Sequence, residues 1–308
     1  MTTGVVGLGL IGGSVLRRTG GVGYDTDPAV RAAAAAEGFA VARDLAGLAD
    51  CELVIVAVPP GLTVAVVTAV LEAAPRALVA DTASVKRPVI DALGAADRFV
   101  GAHPLAGSES AGWGASDAAI VAGAVWAVCP AGRSLEPVCR LSAAVERLDG
   151  RLIACTAEEH DAAVARTSHA PHVVAGALAG LAADPLRAAL SGTALRDMTR
   201  VARADATLWA DILAANRTAT LAALDELEAG LAGLRVALAG GDREVLARVW
   251  SRATDALDAV EAARWAEPAW SNGRIDGGWD GLLELGRAGR AVRRLALADG
   301  VLTGDVSR

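Results

Sequence analysis

Among the side chains of this sequence, His103, His169 and His172 suit acid-base work near neutral pH, where an imidazole gains and loses its proton. His103 follows the apolar run Phe99-Val100-Gly101-Ala102 and opens the small-residue stretch Pro104-Leu105-Ala106-Gly107-Ser108-Glu109. A strand-end histidine held by a proline can offer a neutral ring to a ligand, as a general base requires. It can equally be a satisfied structural residue, and spacing alone leaves both roles open. His169 and His172 lie three apart in Ser168-His169-Ala170-Pro171-His172, so a helix would put them on one face. Pro171 has no N–H for that helix and should kink or restart it, freeing backbone groups beside the pair. No HExxH pattern or nearby cysteine completes a metal ligand set, and no GxSxG elbow makes Ser168 a nucleophile. Substrate contact or helix packing remains for Ser168, His169 and His172. The fourth histidine, His160 in Glu158-Glu159-His160-Asp161, reads as an ordinary member of a helix's acidic first turn.

A cationic stretch follows, with Arg196, Arg200 and Arg203 ahead of Asp205, Trp209, Asp211 and Asn216. Most helical arginines are solvated or paired, but at least one here could turn its guanidinium fork to a substrate carboxylate. Trp209 reads as packing.

The phrase Gly7-Leu8-Gly9-Leu10-Ile11-Gly12-Gly13-Ser14 follows the apolar pair Val5-Val6, and Asp25 lies eighteen positions after Gly7. This is the dinucleotide-binding pattern: a tight strand-to-helix turn, backbone open to a pyrophosphate, close helix packing, and an acid for the adenosine ribose. Gly7, Gly9, Leu10, Ile11 and Gly12, with Asp25 and the pair Val58-Pro59, are the expected cofactor contacts. A carboxylate at the ribose favours NAD and disfavours the 2′-phosphate of NADP, with Arg31 the one nearby cation.

These groups need a frame. Runs at 3–6, 21–24, 53–58, 77–80, 99–102 and 125–128 predict strands, with helices at 10–18 and 28–37 and between several later runs. Such alternation predicts an α/β fold, a Rossmann-type doubly wound and mostly parallel sheet. Ligands collect at the carboxyl ends of its strands, where Pro59-Pro60 stops one strand and where 81–86 and 103–109 emerge. The helix behind the glycines is short, with about nine residues covering about 13 Å, which suits only a short second strand.

After about residue 149 the strand signal stops, and alanine-leucine periodicity runs to about Trp265. The expected division is an NAD-binding domain over 1–153 and an all-α substrate-binding and dimerisation domain over 154–308. Apolar faces at 221–238 and 245–260 need cover, so a homodimer through the helical domain is expected. Residues 268–279 read as a loop and 282–297 as a final helix, leaving no room for an appended regulatory domain.

Across 308 residues the formal net charge of -7 argues against nonspecific nucleic-acid binding and against an anionic membrane surface. Cys51, Cys129, Cys139 and Cys155 form no CxxC pair and read as small buried hydrophobes of a reducing compartment. With no basic leader before Val5 and no apolar stretch of membrane-spanning length, a cytoplasmic, metal-free protein acting on a small molecule is expected.

In order along the chain, several segments resemble the prephenate/arogenate dehydrogenase family of tyrosine biosynthesis. They are the glycine phrase, Gly23-Tyr24-Asp25, Asp81-Thr82-Ala83-Ser84-Val85-Lys86, the His103 stretch with Gly112, the Ser168–His172 pentapeptide, and residues 199–216. The match runs from residue 4 to about 217, and its HPxAGSE and SHxPH elements are far more specific than the glycines. The resemblance implies NAD-dependent oxidation of the C4 hydroxyl of a cyclohexadienol, with loss of carbon dioxide as the ring aromatises. It implies that His103 accepts or hydrogen-bonds the C4 hydroxyl proton, with Ser84 orienting substrate and imidazole. It further implies that Ser168, His169 and His172 line the pocket and that Arg200 binds a substrate carboxylate. Prephenate, arogenate or both are the expected substrates; they differ in a side-chain keto group or amine, and the sequence does not choose between them. Two alternatives stand beside this reading: a 4-amino-4-deoxyprephenate dehydrogenase of specialised metabolism, and a noncatalytic NAD-sensing dimer. A 3-hydroxyacid dehydrogenase or imine reductase would share the two-domain plan but lack the paired histidine motifs.

Overall fold

Short β-branched runs make strands whose burial on both faces requires a parallel sheet covered by helices. The structure, a computed structural model, describes residues 2–94, 96–132, 134–264 and 267–308. The first six strands are β1 (Thr3–Val6), β2 (Val22–Tyr24), β3 (Ala40–Val41), β4 (Leu53–Val56), β5 (Leu78–Asp81) and β6 (Phe99–Pro104). They pair in parallel in the order β3-β2-β1-β4-β5-β6. Every residue of β1, β4 and β5 is buried. Alternate side chains leave on opposite faces. Leu53 and Ile55 enter one core with Leu16, Trp126 and Leu152, while Val54 and Val56 enter another with Val67, Val79 and Phe99.

The first helix, Leu10–Thr19, ends at Gly20, whose φ of 64° provides the left-handed cap, so the chain returns quickly to the three-residue β2. Beyond β6 the sheet continues with β7 (Val125–Cys129), antiparallel to β6, and β8 (Arg151–Ala154), parallel to β7. The helical region then runs through Ala157–Val164, a π-helical turn Ala165–His169, and Ala170–Leu181, and continues to Ala206–Ala215, Arg217–Gly240 and Arg243–Arg264. Trp265, near which helical periodicity was expected to end, lies outside the described residues. Among the described residues no helix is long and apolar enough to cross a membrane.

The last forty residues correct the expectation of helix throughout 154–308. Residues 268–279, read as a loop, contain β9 (Trp270–Ile275), and the helix read at 282–297 is instead Trp279–Arg287 followed by β10 (Val292–Ala298). A hairpin leads on to β11 (Val301–Ser307). These strands pair antiparallel and extend the sheet from β8 in the order β10-β11-β9. Two local features explain the difference. Gly289, at φ 70°, stops the helix, and Asp299-Gly300, at φ 50° and 74°, forms the two-residue turn that right-twisted hairpins favour. The chain therefore leaves the sheet for its helices and comes back to finish it. The two-residue β3 and the strand β8, which sequence periodicity did not mark, are short or lie where the apolar alternation is weak.

Candidate active site

The glycine turn between β1 and the first helix is shaped by contacts that exclude any side chain. Gly7 holds φ 86°, and a Cβ there would lie 2.3 Å from the Ala57 carbonyl oxygen; a Cβ on Gly12 would lie 1.8 Å from that of Gly7. Gly9, by contrast, opens onto free space, and as N-cap it provides no side-chain partner for the first-turn amides. Uncapped amides at a helix N-terminus, beside an opening with no Cβ, make a cradle suited to a pyrophosphate. Asp25, just beyond β2, accepts hydrogen bonds from the amides of Leu8 at 2.8 Å and Asp27 at 2.9 Å. It thereby ties the glycine turn to the end of the neighbouring strand. Arg31 donates to the carbonyls of Asp25 at 2.5 Å and Thr26 at 3.0 Å. Val58 and Pro59 follow β4 along the same carboxyl edge, so these residues fit a dinucleotide.

Beside this edge lies a cavity of about 300 Å³ lined by Ser84, His103, Ser168, His169, His172, Arg200 and Trp209, with the 106–109 turn. The sheet provides Ser84 after β5 and His103 within β6. The helical region provides the rest. The Ala206–Ala215 helix, bearing Trp209, packs on the Pro60–Leu62 turn after β4 and so joins the cavity wall to the cofactor edge. Pro171 acts as expected, but through a defined geometry. The chain widens into the π-helical turn Ala165–His169 and resumes as α-helix at Ala170, bringing His169 inward and fully buried.

Hydrogen bonds place the ring protons of all four histidines. The Asp161 carboxylate accepts the amides of Lys86 at 2.7 Å and Arg87 at 2.9 Å, and its Oδ1 lies 2.8 Å from His160 Nδ1. Burial pushes Asp161 upward, but the His160 bond and these two amides outweigh it and hold the carboxyl below its ordinary value. An ionised carboxylate only accepts, so His160 carries its proton on Nδ1 and, when neutral, leaves Nε2 bare. His160 Nε2 lies 2.9 Å from His103 Nδ1, so opposite a neutral His160 the His103 ring donates there and keeps Nε2 as an acceptor. The Asn216 amide nitrogen donates to the Asp161 carbonyl at 2.8 Å and to His169 Nδ1 at 3.1 Å, which puts the His169 proton on Nε2. His172 donates from Nδ1 to the Ser168 carbonyl at 2.8 Å and stacks on Trp209 with ring centres 3.5 Å apart. The cavity thus holds one imidazole donor, His169, beside two imidazole acceptors.

All three cavity histidines stay neutral near pH 7. Burial, followed by repulsion from His160, Lys86 and His169, holds His103 well below its usual value. Burial brings His169 to about 4, despite the favourable charge of Asp161. His172 is lowered chiefly by burial as well, against the pull of the Ser168 carbonyl. Arg200 pairs with Glu109 at 3.0 Å and remains exposed at the cavity.

Two expectations change. His160, read as an ordinary first-turn residue, is 3 % exposed and joins His103 to Asp161. Its neighbouring acids do play the helix-end role. Thr156 and Glu159 form a capping box, and Glu159 also accepts from Arg287 at 2.6 Å. Trp209, read as packing alone, also lines the cavity. Cys51 and Cys129 are buried as expected, whereas Cys139 and Cys155 are only partly so, and the Cys129 and Cys155 sulfurs lie 4.0 Å apart as free thiols.

Comparison with known proteins supplies the remaining observation. Residues 13–154 match the model for the prephenate dehydrogenase nucleotide-binding domain, and residues 156–252 match that for the prephenate dehydrogenase dimerization domain. The cyclohexadienyl dehydrogenase of Zymomonas mobilis is 33% identical over 266 residues, covering 79% of this chain and 90% of that protein. The Aquifex aeolicus prephenate dehydrogenase, solved with hydroxyphenyl propionate and NAD+, superposes with a TM-score of 0.76 at 25% identity over 84% of this chain and 98% of that one. Synechocystis arogenate dehydrogenase gives 0.70 at 26% identity over 84% and 100%.

Proposed function

This chain belongs to the prephenate dehydrogenase family and is an NAD-dependent dehydrogenase of oxidative decarboxylation in tyrosine biosynthesis; from that premise we propose how its own residues act, and on which substrates. The substrate is prephenate, arogenate or both, taken up in the cavity between the sheet edge and the helices. The carrying observation is the His103 ring, neutral and held with Nε2 as an acceptor in that cavity.

Gly7, Gly9, Leu10, Ile11, Gly12, Asp25, Val58 and Pro59 would hold NAD, which would supply the hydride acceptor. Departure of hydride from C4 leaves a carbonyl only if the hydroxyl proton departs too, and His103 Nε2 takes it. Ser84 orients hydroxyl and ring. Once the C4 carbonyl forms, the ring carboxylate leaves as carbon dioxide, and its electron pair aromatises the ring. The oxygen becomes a phenolate, and His103 returns the proton to give the phenol. The chain therefore needs a base that holds a proton briefly, not one that exports it. His169 Nε2–H donates to a polar substrate group, His172 and Ser168 shape the wall, and the Arg200 fork binds a carboxylate once it turns from Glu109. Positioning carries most of the work, because aromatisation makes the decarboxylation strongly downhill.

NAD is favoured over NADP because Asp25 occupies the ribose end of the cradle. We further propose a homodimer through the helical region. Leu221, Leu231, Trp250, Leu257 and Val260 on Arg217–Gly240 and Arg243–Arg264 are all at least half exposed in the single chain, a surface that a second copy would cover. Assays of purified protein with prephenate and with arogenate, each with NAD and with NADP, test the reading. NADH formation with at least one substrate is expected, and no turnover in all four would overturn it. Light scattering of the same sample gives the oligomeric state.

A further inference from the structure

His160 and Asp161 sit behind His103 and touch none of the space a substrate would fill: neither is among the residues lining the cavity. Both are buried, at 3 % and 5 % exposure. They are also placed with unusual redundancy. The capping box of Thr156 and Glu159 fixes where the helix begins, and Arg287 braces Glu159 from the returning C-terminal segment. Asp161 anchors the Lys86 and Arg87 amides across the interface, while Asn216 holds the Asp161 carbonyl. A surface turn has no need of such bracing.

We propose that His160, oriented by Asp161, is a positioning residue that locks His103 in the tautomer able to accept the substrate proton. A free imidazole distributes its proton between two nitrogens, and a base with the proton on the cavity-facing nitrogen cannot act. Here the assignment runs one way. With His160 neutral, the carboxylate holds its proton on Nδ1, its bare Nε2 accepts from His103 Nδ1–H, and the lone pair of His103 is left at Nε2. Among the described residues no protein group hydrogen-bonds that nitrogen. The near-perpendicular ring planes, at 74° with centres 5.1 Å apart, fit an in-plane nitrogen-to-nitrogen bond rather than stacking. The same chain carries charge: when His103 holds the substrate proton, its Nδ1–H points along a bond ending at the Asp161 carboxylate. This inference rests on His103 being the proton acceptor.

The test uses the full-length enzyme with NAD and its active cyclohexadienyl substrate. His160→Leu removes the acceptor for His103 Nδ1–H, whereas His160→Gln can offer a carbonyl oxygen in its place. The leucine variant is expected to lose about 100-fold or more in kcat, with KM and NAD affinity changed by less than about threefold. The glutamine variant should recover at least about tenfold of that loss, because an acceptor alone restores the tautomer. Long-range proton–nitrogen NMR of the native enzyme, selectively labelled in histidine, should show His103 protonated at Nδ1 and bare at Nε2. That spectrum keeps the idea testable even if the leucine variant does not fold. A native His103 protonated at Nε2, a leucine variant within twofold of native kcat, or a glutamine variant no better than leucine would each overturn the positioning role. A native enzyme inactive on every cyclohexadienyl substrate would instead overturn the proposed function.

Discussion

Lys86, the single lysine of the chain, is completely buried with its ammonium against the Asp81 carboxylate and 2.7 Å from the Ala102 carbonyl. Asp81 also accepts the amides of Ala83 at 3.1 Å and Ala102 at 3.0 Å. One ion pair thus stitches the end of β5 to β6 immediately before His103. Its backbone amide meanwhile reaches Asp161, so Lys86 links the sheet edge to the helical region.

Replacing Lys86 with methionine should keep the volume but strand a buried carboxylate. A loss of about 3–5 kcal/mol in unfolding free energy is expected by denaturant titration, since breaking one half of a buried pair leaves an uncompensated charge. A variant as stable as the native chain would show that water reaches Asp81.

His103→Asn should lose about 100- to 10,000-fold in kcat while retaining NAD affinity, the range expected when a general base is removed. Unchanged turnover would remove His103 from the mechanism. In the native enzyme, burial holds the His103 pKa well below 6.5. The active, neutral form therefore persists as pH falls, and the acid limb of kcat/KM attributable to this ring should lie below pH 6.5. A limb at or above 6.5 would contradict its buried setting.

Much of this site is legible in the sequence, for identifiable reasons. Gly7, Gly9 and Gly12 are local: each is needed where the backbone nearly touches itself, or where it must be left open. The histidine motifs are likewise local, and Pro171 announced a break in its helix. His160 was not legible, because an imidazole among Glu158, Glu159 and Asp161 looks like one more helix-end residue. Its function depends on the Lys86 and Arg87 amides, which lie more than seventy residues away. The C-terminal hairpin was legible but masked. Asp299-Gly300 is a strong turn signal, yet leucines at 282, 283, 285, 295 and 297 mimic helical spacing on either side of Gly289.

Acid should destabilise the fold through His169. Its pKa falls from 6.5 to about 4 on folding, so the unfolded chain binds its proton first as pH drops. Stability is complete above about pH 6.5 and is lost progressively toward pH 4, by about 3 kcal/mol for this group. His169→Gln, which can still meet Asn216, should flatten that part of the stability profile measured by denaturant titration between pH 4 and 7. An unaltered slope would assign the acid sensitivity elsewhere.

Arg200→Gln should raise the substrate KM about 10- to 100-fold with a smaller change in kcat, as expected when a charge-assisted contact made in both ground and transition states is lost. Glu109 competes for the same guanidinium at 3.0 Å. A kcat loss at unchanged KM would move Arg200 from binding to the chemical step.

Cofactor choice should turn on Asp25, which has two tasks that substitution can separate. One would be electrostatic: at the ribose end its carboxylate would repel a 2′-phosphate. The other is structural, because it accepts the Leu8 and Asp27 amides and so fixes the glycine turn against β2. Asp25→Asn keeps a carbonyl oxygen for one amide but removes the charge, while Arg31 stays anchored to the neighbouring carbonyls. The ratio of NADP to NAD dissociation constants, measured by equilibrium fluorescence, should therefore fall by about tenfold or more, with NAD itself weakened only modestly. Asp25→Ala loses both amide partners and should weaken both cofactors together. If the asparagine variant instead keeps the native ratio, the carboxylate serves the turn alone, and discrimination against the 2′-phosphate comes from the shape of the cradle.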